Sequence, residues 1–395
     1  MLNQEMMGLG KVRSEIREIF EYGNKRKQEI GADKVFDFSI GNPSVPAPDS
    51  VNEAILDIVK NEDSVMLHGY TSAQGDFSVR KTIADYINGR FGTEVNADSI
   101  YMTVGAAASL TITLNAVMLP GDECIVFTPF FPEYRVFVEA TGAKLVVVEG
   151  EAKTFQIDMD AFEKAITEKT KAVIVNSPNN PSGVVYSEDA IIRLCEVLKN
   201  KEAEYGHDIY LISDEPYREL VYDDIKVPYL INYYDDTFVC YSYSKALSLP
   251  GERIGYIVVS NKMKDERDVY AAICGAGRAL GYVCAPSLFQ RVVARCIDDT
   301  ADVSIYKKNR DILYNGLTEL GFECVYPDGA FYLFLKSMEE DARAFCEKAK
   351  EFELLLVPAD SFGTPGYVRV SYCVQTEQIE NAMPAFEKLA ASYRD

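Results

Sequence analysis

Seven short β-branched and apolar runs punctuate the middle of the chain, at residues 100–104, 124–128, 144–148, 172–176, 209–213, 237–241 and 254–259, each bounded by turn residues. Between several of them, apolar positions recur at helical spacing. The stretch 188–199 is the plainest case, opening after Ser187, whose hydroxyl suits a helix N-cap. Strands alternating with helices predict a mostly parallel sheet covered on both faces, because a parallel neighbour is reached by a crossover that is usually a helix.

The two ends of the chain carry a different pattern. Residues 11–30 read as a charged amphipathic helix, residues 41–48 as a Gly/Pro-rich connection, and the region after about residue 290 as long helices with a few strands. Together these features predict an α/β protein with a large domain over residues 50–288 and a smaller α+β domain assembled from both termini, residues 1–49 and 289–395. No internal repeat or low-complexity tract interrupts the pattern.

Composition narrows the partners. A length of 395 residues and an apolar content of 48% allow a full buried core. Forty Lys plus Arg against sixty-one Asp plus Glu leave a formal charge of −21, which repels nucleic-acid phosphates and anionic membrane surfaces. An anionic ligand must then be held by a local group of cations and N–H donors working against that field. Nine scattered cysteines with no C-x-x-C pair read as reduced thiols, and two distant histidines, His68 and His207, leave little for a metal site or an imidazole-based triad. No apolar run suits a signal peptide or a membrane span, so the expected location is the cytoplasm.

Three loops after three successive predicted strands carry the candidate chemistry. They are Ser177-Pro178-Asn179-Asn180-Pro181-Ser182-Gly183, then Ser213-Asp214-Glu215-Pro216-Tyr217, then the run from Ser242-Tyr243-Ser244-Lys245 through Pro250-Gly251-Glu252-Arg253-Ile254-Gly255. In an open α/β sheet, ligands bind beyond the carboxyl ends of the strands, where these loops fall. A lysine flanked by serines and followed eight residues later by an arginine places an amine beside an anion site, which suits a phosphorylated aldehyde. An aspartate on the neighbouring strand can hold a protonated pyridine nitrogen and make that ring an electron sink. Each feature alone is a common turn or surface residue; their order and spacing together are not.

The order N-N-P-S-G, D-E-P-Y, S-Y-S-K-A-L-S-L-P-G-E-R-I-G-Y resembles the class I/II aminotransferases of the aspartate-aminotransferase-like family, enzymes of pyridoxal-5′-phosphate (PLP) fold type I. The resemblance runs from Ile40-Gly41-Asn42-Pro43 to Tyr367-Val368-Arg369-Val370-Ser371. It implies PLP as cofactor and transfer of an amino group between an L-amino acid and a 2-oxo acid, in a ping-pong sequence through a Lys245 Schiff base. It further implies Asp214 at the pyridine nitrogen, Asn180 and Tyr217 at the phenolate oxygen, and Ser242, Arg253 and the N–H groups of Ala106 and Ala107 at the phosphate. Phe131 matches the aromatic stacked on the ring, and Gly41 and Arg369 match residues at the substrate, Arg369 clamping its α-carboxylate. Tyr70 matches a tyrosine that reaches the partner's phosphate, which implies a homodimer.

A PLP-dependent C–S β-lyase, or another PLP lyase, shares every one of these cofactor residues and stays open as an alternative. A PLP-sensing regulator, in which such a domain serves as a ligand module behind an added DNA-binding domain, is the remote alternative, disfavoured by the some forty residues before Gly41 and the acidic charge. The lysine that contacts the distal carboxylate in one aspartate-specific branch is replaced by Ala107, leaving Arg278, Arg13 and Arg17 as candidates for side-chain selection. The Gly275-Ala276-Gly277 stretch lacks the remaining features of a dinucleotide fingerprint and is set aside.

Overall fold

The computed structural model describes residues 2–11 and 14–394. Its large sheet contains seven strands: β1 (Ile100–Thr103), β2 (Glu123–Phe127), β3 (Lys144–Val148), β4 (Thr170–Asn176), β5 (Tyr210–Asp214), β6 (Thr237–Ser242) and β7 (Gly255–Val259). Their spatial order is β1-β7-β6-β5-β4-β2-β3. Strands β3, β2, β4, β5 and β6 run parallel, and β7 is antiparallel to both of its neighbours. That exception arises because residues 243–254 turn the chain back from β6 directly to β7 without crossing a face of the sheet.

Side chains along the strands alternate between two cores, as the pleat requires. Ile174 packs with Ile212, Cys240 and Ile257 beneath Leu110 and Ile273, whereas Val173, Val175 and Leu211 pack on the other face against Ile191, Leu194 and Leu198. Coverage of both faces explains why the strands read as continuous apolar runs. The helix expected over 188–199 extends over Glu188–Tyr205, with the Ser187 hydroxyl accepting from the Ala190 N–H at 3.2 Å and Gly206 ending it in the left-handed region at φ 74°. Its last turns are charged and carry no apolar stripe, so the periodicity stops short of the true end.

Both ends of the chain meet in a second assembly. Antiparallel strands Cys324–Val325, Tyr332–Lys336, Tyr367–Ser371 and Val357–Pro358 form one sheet, and Phe36–Asp37 pairs in parallel with Leu354–Leu355. Phe38, Phe331, Leu333, Val368 and Phe386 share its core. The expected amphipathic helix over 11–30 is described as Glu15–Ile30, preceded by a helix over Gln4–Lys11. Gly277 lies inside the helix Glu266–Ala279, where a Cβ would fall 2.3 Å from the Tyr101 hydroxyl, so close packing accounts for that glycine. No helix among the described residues is long and apolar enough to cross a membrane.

Candidate active site

Strands β4, β5 and β6 are adjacent and parallel, so the loops after Asn176, Asp214 and Ser242 open at one edge of the sheet. There they surround a cavity of about 320 Å³. The sequence-predicted Lys245, Asp214, Tyr217, Asn180, Ser242 and Arg253 all line it. So do Ala106, Ala107, Phe131, Gly41 and Arg369, contributed by other parts of the chain. Tyr70 does not; it is 99% exposed on the surface of the chain.

Lys245 stands in the short helix Tyr243–Ala246 directly after β6, and its Nζ donates to the Gly41 carbonyl at 2.7 Å. Burial pushes its ammonium down to about 8; Cys373 opposes the shift, and the charges of Arg253 and Arg369 add to it. A lysine so placed has a substantial fraction of free amine near neutral pH, which an exposed lysine lacks.

Asp214 ends β5 and is fully enclosed. Tyr134 donates to its Oδ2, and Asn176 Nδ2 donates to its backbone carbonyl at 3.0 Å. Its Oδ1 is buried and has no partner among the described residues. Burial raises the carboxyl pKa to about 7, partly opposed by the Tyr134 hydrogen bond and reinforced by Glu215. A cationic N–H at Oδ1 would supply both the missing hydrogen bond and the opposite charge that holds the carboxylate ionised.

Arg369, on the strand Tyr367–Ser371, is 2% exposed and lies between the rings of Tyr332 and Phe362, 4.7 and 5.2 Å from their centroids. Its Nη2 donates to the Ser39 carbonyl at 2.6 Å and its Nη1 to Asn180 Oδ1 at 3.2 Å, while Nε has no partner among the described residues. Burial lowers its pKa. A buried guanidinium bonded only to neutral oxygens is prepared to receive a carboxylate.

The anion cradle forms at the start of the helix Ala106–Val117, whose first N–H groups have no partner within the helix. Gly105 precedes it at φ 99°, and a Cβ there would fall 2.7 Å from Arg253 Nη2, so glycine allows the guanidinium to close on the helix start. Ser242 Oγ lies 2.6 Å from Ser244 Oγ on the same wall. The charged residues lining the cavity are Lys245, Arg253, Arg369 and Asp214, a positive balance inside a chain of −21. This donor set fits PLP: N–H groups and an arginine for phosphate, a buried carboxylate oxygen for a ring N–H, and an amine for an aldehyde.

Three residues at the site escaped the sequence reading. Tyr134 and Asn176 hold Asp214, and the Tyr332 hydroxyl lies 2.9 Å from that of Tyr217. Tyr134 stands three residues beyond Phe131, and Asn176 ends β4 immediately before the Asn-rich loop, so both were near flagged positions. Tyr332 reaches the cavity only through docking of the terminal sheet. Of the candidates for side-chain selection, Arg278 and Arg17 are exposed and neither lines the cavity, and Arg13 lies outside the described residues.

Fold and site define the class of α/β enzymes that hold a phosphorylated cofactor beyond the carboxyl ends of a mostly parallel sheet. The family profile described as aminotransferase class I and II matches residues 33–386. An aspartate aminotransferase of Thermotoga maritima is 31% identical over 89% of this chain and 90% of its own length. An aromatic-amino-acid aminotransferase of Thermococcus litoralis is 27% identical over 95% of each chain. A crystal structure of an amino transferase from Eubacterium rectale is 57% identical with a TM-score of 0.98, covering 100% of both chains. The chain therefore belongs to the class I and II aminotransferase family, and it is an enzyme, a PLP-dependent aminotransferase working by the ping-pong sequence of that family.

Proposed function

We propose that the cavity around Lys245 is the transamination site, and that its residues divide the work as follows. PLP, when bound, supplies an aldehyde and a pyridine ring that accepts the electron pair left at the amino acid's Cα. Ser242, Arg253 and the N–H groups of Ala106 and Ala107 hold the phosphate, and Phe131 lies against the ring. Asp214 Oδ1 keeps the ring nitrogen protonated. Tyr217 and Asn180 donate to the phenolate oxygen. Lys245 carries the aldehyde between turnovers and, once freed, its amine moves the Cα proton. Arg369 and Gly41 set the substrate, the guanidinium receiving the α-carboxylate common to every donor. What carries this assignment is one cavity containing both an amine with a depressed pKa and a buried guanidinium that has no carboxylate partner among the described residues.

The working unit we propose is a homodimer. Val65, Met66, Tyr70, Leu280, Tyr282 and Val283 are all exposed, and the Cys284 thiol donates to the Thr71 carbonyl, which brings the two segments together on one surface. A second copy seated there would bury this patch and bring Tyr70 to the other subunit's phosphate. Sedimentation is expected to find a dimer; a fully active, PLP-loaded monomer at assay concentration would refute it. A cytoplasmic location fits the nine cysteines, none of them paired.

A panel of amino donors and 2-oxo acids tests the reaction and the two arginines together. The expected product is a 2-oxo acid whose formation requires a co-substrate; pyruvate and ammonia released without one would indicate the β-lyase instead. Arg369→Ala should weaken all donors alike, by roughly 2–5 kcal/mol in kcat/KM, as when a buried charge partner is removed. Arg278 lies in the last turn of the helix that leads into the Tyr282 patch, and we propose that it reaches the other subunit's cavity and receives a distal carboxylate. Several relatives are named aspartate aminotransferases, in keeping with a dicarboxylate donor. Arg278→Ala should then cost roughly 1.5–3 kcal/mol with aspartate or glutamate and spare alanine; equal losses, or none, would remove it from the specificity site.

A further inference from the structure

Tyr332 joins three parts of the site that come from distant stretches of chain. Its hydroxyl lies 2.9 Å from the Tyr217 hydroxyl, in the loop after β5. Its ring faces the Arg369 guanidinium at 4.7 Å, on the neighbouring strand. A Cβ on Gly41 would fall 2.0 Å from the same hydroxyl, so the glycine at substrate level is the residue that admits it. The side chain is only 3% exposed, and it lines the cavity.

From this placement we infer that Tyr332 is a positioning residue that couples the α-carboxylate subsite to the phenolate subsite: its ring braces Arg369 while its hydroxyl donates to Tyr217. The direction of that hydrogen bond follows from counting protons. A phenol has one, and if Tyr217 directs its own toward the cofactor's phenolate oxygen, the bond between the tyrosines must be donated by Tyr332. Donation into Tyr217 polarises its O–H and makes it the stronger donor. The ionisable groups facing the pair are Arg369 and Cys373 around Tyr332, and Arg369 and Asp214 around Tyr217. The tyrosines themselves stay protonated near neutral pH, since burial raises both. This coupling rests on the assignment of Tyr217 and Arg369 proposed above.

Two variants separate the ring from the hydroxyl. Tyr332→Phe keeps the ring over Arg369 and removes only the donor to Tyr217. The phenolate oxygen then holds a proton more tightly, and the pH midpoint of the bound cofactor's near-visible absorbance should rise by roughly 0.3–1 pH unit, with donor KM within about twofold of the parent. Tyr332→Leu removes the ring as well, and KM for every donor should also rise by roughly three- to thirtyfold. An unshifted midpoint in a PLP-loaded Tyr332→Phe protein would overturn the coupling, as would a KM rise in the Phe variant as large as in the Leu variant. A lower melting temperature with an unchanged midpoint would reduce Tyr332 to core packing and overturn it too. Failure of the underlying site assignment looks different: the parent protein would show no near-visible absorbance with PLP, or Arg369→Ala would leave donor KM unchanged.

Discussion

Lys245→Ala is expected to lose the near-visible absorbance of the bound cofactor and to reduce turnover by several orders of magnitude. Among the described residues no other lysine lines the cavity, so none of them is placed to meet the aldehyde or to move the Cα proton. The same variant loses the hydrogen bond to the Gly41 carbonyl, so retention of the fold should be checked by circular dichroism. Borohydride reduction of the unaltered, PLP-loaded protein followed by peptide mapping should find the pyridoxyl label on Lys245. A label on any other lysine would reassign the site. With the ammonium held down to about 8 by burial, the reactive amine fraction reaches one half near that pH, keeps growing as pH rises through it and levels off roughly one pH unit higher. The rate at which the apoprotein captures PLP should follow that course.

Asp214→Ala should still bind PLP through the phosphate cradle yet lose about two to three orders of magnitude in kcat, the scale seen when a preorganised electrostatic partner is removed. The loss is electronic, because an unprotonated pyridine accepts the Cα electron pair poorly. Removing the carboxylate also leaves the buried hydroxyl of Tyr134 without its acceptor, so Asp214→Asn is the better-matched companion. It preserves an acceptor for Tyr134 and removes the charge. Near-parental turnover in both folded, PLP-loaded variants would show that this aspartate is not the ring partner.

Much of this arrangement could be read from the chain. The β-branched runs placed all seven strands of the large sheet to within about two residues, because strands buried on both faces carry an unbroken apolar signal. Eleven of the twelve flagged site residues line the cavity, since loops after adjacent parallel strands open on one edge. What stayed hidden depends on packing between remote segments. The antiparallel course of β7 follows from a tight return that no residue pattern marks. Tyr332 sits in an apolar run, Gly329-Ala330-Phe331-Tyr332-Leu333, that reads as plain core until the strand docks against Arg369. Tyr70 has the opposite character: a local motif flags it, and among the described residues it stands almost fully exposed, away from the cavity.

The hydrogen bond from Arg369 to the Ser39 carbonyl spans 330 positions of chain, and that from Lys245 to the Gly41 carbonyl spans 204. Contacts of such separation form late, because the entropy of closing the intervening loop must be overcome before they contribute. During synthesis, the phosphate cradle, Asp214 and Lys245 all leave the ribosome well before Arg369 does. On the roles proposed above, a nascent chain would carry the groups for PLP while it still lacks the one for the amino acid's carboxylate. Cofactor captured at that stage would bind only the state in which the cradle has formed, and by mass action it would favour that state while the remaining strands are made.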